Sequence, residues 1–431
     1  MRMLLPSINV TRYNQQNVAA RIRRRLKPFK TEPVTRRILE AVRRDGDRAL
    51  VEFTEKFDKV CLRKSQLKVS QAELNESTRR VDPNVLSALR LSLQRIETIE
   101  KELLSKINYS FQLDDFTFKL TTNPLRCVGC YVPGGKASYP STVIMTAGVA
   151  KLAGVPRIAI CTPPNSDAKV DDAVLAAANL CGVDEVYRCG GAQAIAALAY
   201  GTKTIPRVEK IVGPGGTYVA TAKKLVSSDV PVDFYAGPTE LVVVADKTAD
   251  PRLVAWDLIA QAEHGPDTLS CLVTWSEDVA TDVRSEISRA MARLERRKYV
   301  EESLANGSAA ICEDLNTACD FVNEIAPEHV ELLTEHDSEL SERIFAAGLV
   351  LIGPYSPAAA SDYSVGTNHV LPTGGFARNH SGLSVLDFIK LTWMVTGSQN
   401  AIQRILEPLK ALASTEKLLN HYVSVQVRLE K

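Results

Sequence analysis

The sequence predicts an α/β protein of two domains with mainly parallel sheets, flanked by an N-terminal arm and a helical C-terminal tail. Three observations predict it. From about residue 155, short β-branched runs alternate with helical stretches, each pair punctuated by Gly or Pro. The length, 431 residues, exceeds what one hydrophobic core usually supports, so two bodies are expected. The composition, 45% hydrophobic and 24% charged, is that of an ordinary globular chain able to bury those cores.

The repeating unit is read element by element. Arg157 to Thr162 is a strand, Asp172 to Leu180 a helix, Glu185 to Arg188 a strand and Ala192 to Tyr200 a helix. Lys210 to Val212 and Thr217 to Val226 repeat the pair, which gives a parallel sheet covered by helices. A second series starts at Glu240 to Ala245, continues through the helix Pro251 to Glu263 and the strand Leu269 to Trp275, and ends near Gly348 to Ile352. The mostly helical stretch from Pro33 to about Lys106 has no strands of its own and is assigned to this second series. The expected organisation is therefore an arm over 1–30, a discontinuous first α/β domain over 31–128 and 240–380, a second α/β domain inserted over 129–239, and a helical tail over 381–431. Arm and tail are both peripheral in this reading, so their exchange between the protomers of a dimer is expected.

Charge and composition exclude several classes of function. Lys and Arg total 52 against 51 for Asp and Glu, so no global field draws the chain to nucleic acid or to an anionic membrane. Apolar runs such as Leu241 to Ala245 fall far short of the roughly 20 residues that cross a bilayer. Nine cysteines, an odd number dispersed along the chain, suit reduced thiols in the cytoplasm better than a disulfide framework. The close pair Cys127 and Cys130 has no second pair at zinc-site spacing and reads as part of a strand. The first 31 residues lack acidic side chains and carry Arg21, Arg23, Arg24 and Arg25, a bias found in organellar targeting segments. Val18, Ile22 and Leu26 recur at four-residue spacing, however, which favours a packed helical arm.

Chemistry-bearing residues fall in a few places. Asp250 caps the helix that begins at Pro251 and Gly265-Pro266 stops it, so Gln261 and His264 occupy one face of a well-defined helix end. There His264 is either a ligand or a cation stabilised by the helix dipole. Glu328 and His329 follow Pro327 and could together divide proton transfers, reaching one cleft from a turn rather than from a regular strand. The polar, glycine-rich segment from Ser361 to Gly375 is long for a connection, and Asp362 within it is expected at the carboxyl edge of a sheet. No G-x-G-x-x-G fingerprint is present. Gly213-Pro214-Gly215-Gly216, Gly190-Gly191-Ala192-Gln193 and Tyr131-Val132-Pro133-Gly134-Gly135 are compatible with a dinucleotide cleft or with ordinary tight turns.

Taken together, Tyr131 to Lys136, Gly190 to Ala196, Ala260 to Asp267, Ala326 to His329 and Gly366 to Thr373 resemble, in order and spacing, the motif series of histidinol dehydrogenases. The likeness runs from about Arg37 to His421. It implies two similar α/β/α domains of aldehyde-dehydrogenase-like architecture and a zinc-dependent, NAD-dependent conversion of L-histidinol through L-histidinaldehyde to L-histidine, the last step of histidine biosynthesis. The zinc ligands carried over are Gln261, His264, Asp362 and His421, the last reaching across from the partner subunit of a homodimer. His329 is implied as the base of the oxidations and Glu328 as the group that activates water. Thr239, Gln261, His264, His329, Asp362, His369, Glu416 and His421 are implied as substrate contacts, and Tyr131, Gln193 and Gly216 as NAD contacts.

Three positions depart from the family pattern. Gly216 stands where Asn is usual, which removes a side chain from the cofactor site. Thr239 replaces Ser and adds a methyl group while keeping the hydroxyl. Asn379-His380 replaces an aromatic-serine pair. Two other readings stay open: a paralogous zinc and NAD dehydrogenase of another small alcohol, such as a sulfonated diol, and a non-catalytic metal-binding protein. Glu416 argues against the sulfonate, which would prefer arginine.

Overall fold

The structure, a computed structural model, describes residues 3–25, 31–134, 137–234 and 237–430. Leu26, Gly135 and Lys136, which the sequence analysis drew on, lie outside the described residues.

Thirteen strands are described: β1 (Ser7–Val10), β2 (Tyr109–Leu113), β3 (Phe116–Pro124), β4 (Cys127–Tyr131), β5 (Arg157–Thr162), β6 (Glu185–Arg188), β7 (Lys210–Val212), β8 (Glu240–Ala245), β9 (Leu269–Thr274), β10 (Ser308–Cys312), β11 (His329–Leu333), β12 (Leu349–Ile352) and β13 (Ile389–Gly397). They form a six-stranded sheet in the order β1-β10-β9-β8-β11-β12, a four-stranded sheet β6-β5-β4-β7 and a three-stranded sheet β13-β3-β2. The first two are parallel throughout and the third is antiparallel. The parallel strands are buried on both faces, as expected where helices close both sides.

Both parallel sheets reverse direction beside an inner strand, β4 in the small sheet and β8 in the large one. In the small sheet the chain runs outward from β4 through β5 to β6 and returns to place β7 on the other flank of β4. In the large sheet it runs from β8 to β9 and β10, then returns to place β11 and β12 beyond β8. The order thus reverses at β4/β7 and at β8/β11, and at the carboxyl ends of β4 and β7 the small sheet has the switch-point crevice where open α/β sheets accommodate ligands.

Three expectations are corrected. First, the helices between residues 32 and 105 belong with the four-stranded sheet and not with 240–380. Ile38, Leu39, Val42 and Leu50 pack with Ile195 and Leu198 on one face of that sheet, while Leu74, Leu89 and Ile96 pack with Ile160 and Leu175 on the other. Helices devoid of strands can cover any apolar sheet face, and the packing of these on the four-stranded sheet is a tertiary choice that their pattern does not reveal. Second, the N-terminal segment is not peripheral. Its β1 forms an edge of the large sheet, paired with β10, and the helix Gln15–Arg25 buries Ile22 against Phe321 and Val322. Third, the tail is not wholly helical: β13 pairs along its length with β3, and only then come the helices Gln399–Thr415 and Leu419–Gln426. Among the described residues no helix is long and apolar enough to cross a membrane, and all nine cysteines are free thiols.

Candidate active site

The helix Pro251–Ala262 starts where the sequence places it. The Asp250 carboxylate accepts from the Arg252 backbone N–H at 2.9 Å and Pro251 fills the first turn. The helix runs back from the carboxyl end of β8, so its own end delivers Gln261 and His264 to the amino edge of the large sheet. Gln261 is buried and His264 is exposed beside it.

At the same edge, Ala326 ends the preceding helix in the left-handed region (φ 50°) and turns the chain into Pro327-Glu328 and β11. His329 is therefore the first residue of a regular strand, in register with Leu241 of β8, and not part of an isolated turn. Its two ring nitrogens are buried and have no hydrogen-bond partner. Nδ1 lies 3.7 Å from Glu328 Oε2 and Nε2 lies 3.9 Å from Asp362 Oδ1. Asp362 comes from the short helix Ala358–Tyr363, which also runs back from the far edge. It therefore lies at the amino edge, against the expectation that it would mark the carboxyl edge: the returning helix reverses the direction of β12 before Asp362 is reached.

Thr239, immediately before β8, ties these groups together. Its hydroxyl donates to Glu328 Oε2 at 2.6 Å and accepts from Gln261 Nε2 at 3.1 Å. Glu328 Oε2 accepts a second bond from the Glu240 backbone N–H at 2.8 Å. With its N–H₂ engaged by Thr239, the Gln261 amide leaves its oxygen for another partner. His369 is held at both nitrogens, Nδ1 at 2.7 Å from the Asp362 carbonyl oxygen and Nε2 at 3.3 Å from the Thr142 hydroxyl.

Burial sets the charge states. Loss of solvent pushes the His329 pKa down to about 4, so the imidazole is neutral at pH 7 and free to accept a proton. The same effect raises Glu328 well above the ordinary carboxylate value, with Thr239 and the Glu240 N–H opposing it and Glu240 and Asp362 reinforcing it. Burial pushes Asp362 up to about 7, and loss of solvent lowers His369. A neutral base, a carboxyl of raised pKa and a shielded carboxylate thus share one pocket, the arrangement in which acid and base roles separate.

These donors fit a divalent cation. Asp362 is a largely shielded carboxylate that, among the described residues, no cation neutralises, and the Gln261 oxygen and the His264 imidazole come from the adjoining helix end; zinc takes such nitrogen and oxygen donors. Among the described residues no three His, Cys, Asp or Glu side chains of the single chain cluster at metal-binding distance. Glu416 and His421 are not brought to the pocket within one chain. Both are exposed in the C-terminal helices, and the described hydrogen bonds of each stay within those helices.

The candidate cofactor residues gather at the carboxyl edge of the small sheet. Tyr131 ends β4 beside the switch point and its hydroxyl accepts from the Gly191 N–H at 3.1 Å. Gln193 is buried in the first turn of the helix Gly191–Tyr200. Gly213 follows β7 with φ 115°, and a Cβ there would collide with the Tyr131 carbonyl, so a side chain is excluded. Gly216 differs: a Cβ would meet nothing within 4 Å, so the space around this helix start is open. The Thr142–His369 contact, together with the bond from Asn368 Nδ2 to the Met145 carbonyl, ties the pocket of the large sheet to the body of the small one.

Several positioning groups had no sequence signal. Thr142 is 227 residues from His369. Arg23, in the N-terminal helix, donates to the Ile325 and Ala326 carbonyls at the turn before Glu328 and pairs with Glu240.

Comparison with known proteins agrees with the motifs. The histidinol dehydrogenase family model matches residues 22–429. A histidinol dehydrogenase of Synechococcus sp. is 44% identical over 398 residues, covering 92% of each chain. One from Methanosarcina mazei is 41% identical over 392 residues, 91% of this chain and 90% of that one. The crystal structure of histidinol dehydrogenase from Elizabethkingia anophelis superposes with a TM-score of 0.92 at 32% identity, covering 100% of this chain and 99% of that one. Motifs, architecture and full-length similarity converge, and the chain belongs to the histidinol dehydrogenase family.

Proposed function

We propose that this NAD-dependent oxidoreductase oxidises L-histidinol to L-histidine in two steps in the pocket of Glu328 and His329, as a cytoplasmic homodimer with one zinc ion per subunit. The observation that carries the reading is the buried, unpartnered His329 ring, held neutral between Glu328 and Asp362. Gln261, His264 and Asp362 would hold the zinc, with His421 of a second chain completing the set, and Tyr131, Gln193 and the open helix start at Gly216 would face NAD. Bound there, zinc supplies orientation of the substrate's imidazole and amino nitrogens, and NAD supplies the hydride acceptor for both oxidations.

The chain's own groups then divide the proton transfers. Neutral His329 takes the hydroxyl proton in the first oxidation. Glu328, whose conjugate base is strengthened by burial, takes a proton from the water that hydrates the aldehyde, and the positive charges of substrate and metal favour the ionised form it needs. His329, once it has released the first proton to solvent, accepts again in the second oxidation. The low exposure of both side chains keeps bulk water from the aldehyde. Thr239 and His369 contact the substrate, and Glu416 is the partner for its ammonium group.

The shared site is supported by what a single chain leaves uncovered. Tyr109, Phe111, Leu113, Leu391, Trp393 and Val395 line one exposed face of the antiparallel sheet, and Leu412, Leu419 and Val423 are exposed on the tail helices that carry Glu416 and His421. Exposed apolar faces of this kind mark an interface.

The test is NADH formation from histidinol with and without a chelator. Turnover that chelation abolishes and zinc restores is expected, with His329→Asn retaining zinc and losing turnover. A folded, zinc-loaded dimer inert toward histidinol but active on another alcohol would overturn the substrate assignment.

A further inference from the structure

Lys223 and Asp233 form an ion pair to which the reaction above gives no role. Their side chains are 1% and 0% exposed, and Lys223 is the only buried lysine among the described residues. A buried pair of this kind stabilises a fold no better than apolar side chains of similar volume, so stability alone does not account for it. Lys223 lies in the helix Thr217–Val226, and its Nζ donates to the Gly213 carbonyl at 2.9 Å. Asp233 lies in the segment that returns beside β7, where the Ile211 N–H donates to the Pro231 carbonyl at 3.0 Å and the Asp233 N–H to the Ile211 carbonyl at 3.2 Å. Its Oδ2 accepts from the Gly213 N–H at 2.8 Å and its Oδ1 from the Phe234 N–H at 2.7 Å. The pair therefore holds Gly213, the buried glycine of positive φ after β7, by its donor and its acceptor at once.

Gly213 in turn backs onto Tyr131: a Cβ on it would collide with the Tyr131 carbonyl, and one on Gly215 would lie 3.1 Å from Tyr131 Cε1. The Tyr131 hydroxyl accepts from the Gly191 N–H, at the start of the helix that carries Gln193. The same turn leads directly to Gly216 and the open helix start. We infer that the Lys223–Asp233 pair positions the cofactor crevice: by gripping Gly213 at both its N–H and its carbonyl, it fixes the glycine turn against Tyr131 and so sets the affinity for the dinucleotide without touching it. Neither side chain reaches the surface, so the effect passes through the turn alone. Because Gly213 is itself buried, removing both partners leaves its two backbone groups unsatisfied, and the turn moves toward water to meet them. The proposal rests on the reading of Tyr131, Gln193 and Gly216 as the dinucleotide contacts.

The experiment compares two double variants of the full-length protein. The first, Lys223→Met with Asp233→Leu, keeps the volume of the pair and neither bond. The second, Lys223→Gln with Asp233→Asn, keeps a donor for the Gly213 carbonyl and an acceptor for its N–H. Changing both partners together avoids a lone buried charge, which destabilises a chain for reasons unrelated to the turn. NADH binding is read by the fluorescence of the bound dinucleotide, and KM for NAD, KM for histidinol and zinc affinity are read beside it. Two hydrogen bonds of ordinary net strength correspond to about 10 to 30-fold, the expected loss of NADH affinity and rise in KM for NAD in the first variant. Its zinc affinity and KM for histidinol should stay within about twofold, and the second variant within about threefold on every readout. A folded first variant that binds NADH as the unmutated protein does overturns the proposal even if its Tm falls, since the pair would then only stabilise. Parallel losses of zinc and NADH affinity overturn it too, because the damage would not be local to the turn. Should the first variant not fold, Lys223→Met with Asp233→Asn keeps the N–H bond and loses the carbonyl one; it is expected to weaken NADH by about fivefold, and unchanged binding overturns the proposal. Gly216→Trp tests the reading beneath: it fills the open helix start and is expected to block NADH, and binding that ignores it would refute the cofactor site and the proposal with it.

Discussion

Replacing Thr239 by Val keeps shape and volume but deletes the hydroxyl that joins Gln261 to Glu328. In the structure that hydroxyl donates at 2.6 Å to the Glu328 carboxyl and accepts at 3.1 Å from the Gln261 amide. Both partners are buried, with 7% and 6% of their surface exposed, so water cannot replace the lost bonds cheaply. An unsatisfied buried polar group costs about 1–3 kcal/mol. Gln261 Nε2 is left without the bond that orients it, while Glu328 retains the Glu240 N–H, so the combined loss is about 3 kcal/mol. At 1.4 kcal/mol per decade this corresponds to a fall of about 100-fold in kcat/KM. Thr239→Ser, which restores the hydroxyl, should remain within about threefold. The assay is steady-state NADH formation from histidinol at saturating zinc, with circular dichroism to verify folding. A folded Thr239→Val enzyme within about fivefold of the unmutated rate would refute the claim that this hydroxyl organises the pocket.

Further outcomes follow from the same site. His329 has a pKa of about 4 when folded, against an ordinary value of about 6.5, so between these values the unfolded chain binds more protons. Its contribution is complete above pH 6.5 and is lost as pH falls toward 4, on the order of 3 kcal/mol. Urea titrations of metal-free protein should therefore show a shallower acid decline for His329→Asn than for the unmutated chain, and parallel declines would contradict the buried neutral imidazole. Asp362, at about 7 without a cation, should release a proton when zinc binds at pH 6, detectable as a buffer-dependent binding enthalpy that Asp362→Asn abolishes. Mixing His329→Asn chains with His421→Ala chains should regenerate one intact site per mixed dimer, about one quarter of full activity if chains exchange randomly. No recovery after verified exchange would place His421 in its own chain's site.

Much of the candidate site was legible because its residues lie in short local signals. The Asp250 cap, Pro251 and Gly265 delimit one helix, so Gln261 and His264 could be located at its end before any tertiary information. The alternating elements from Arg157 to Val226 fold as read, because buried parallel strands need continuous apolar runs and their connecting helices need capped, amphipathic ones. β10 and β11 escaped, lacking equally clear punctuation, and with β11 went the fact that His329 opens a strand.

What the sequence by itself determined was therefore the local vocabulary: helix ends, strand cores, the adjacent Glu328 and His329, and the glycine turns at Gly190 and Gly213. Only tertiary structure decided which sheet the helices between 32 and 105 cover, since an apolar helix face fits either. It also decided that Asp362 returns to the amino edge, that Thr142 meets His369, and that a threonine hydroxyl couples Gln261 to Glu328. Such contacts depend on chain reversal and packing over hundreds of residues, and hydrogen bonds formed at that separation leave no periodicity to read.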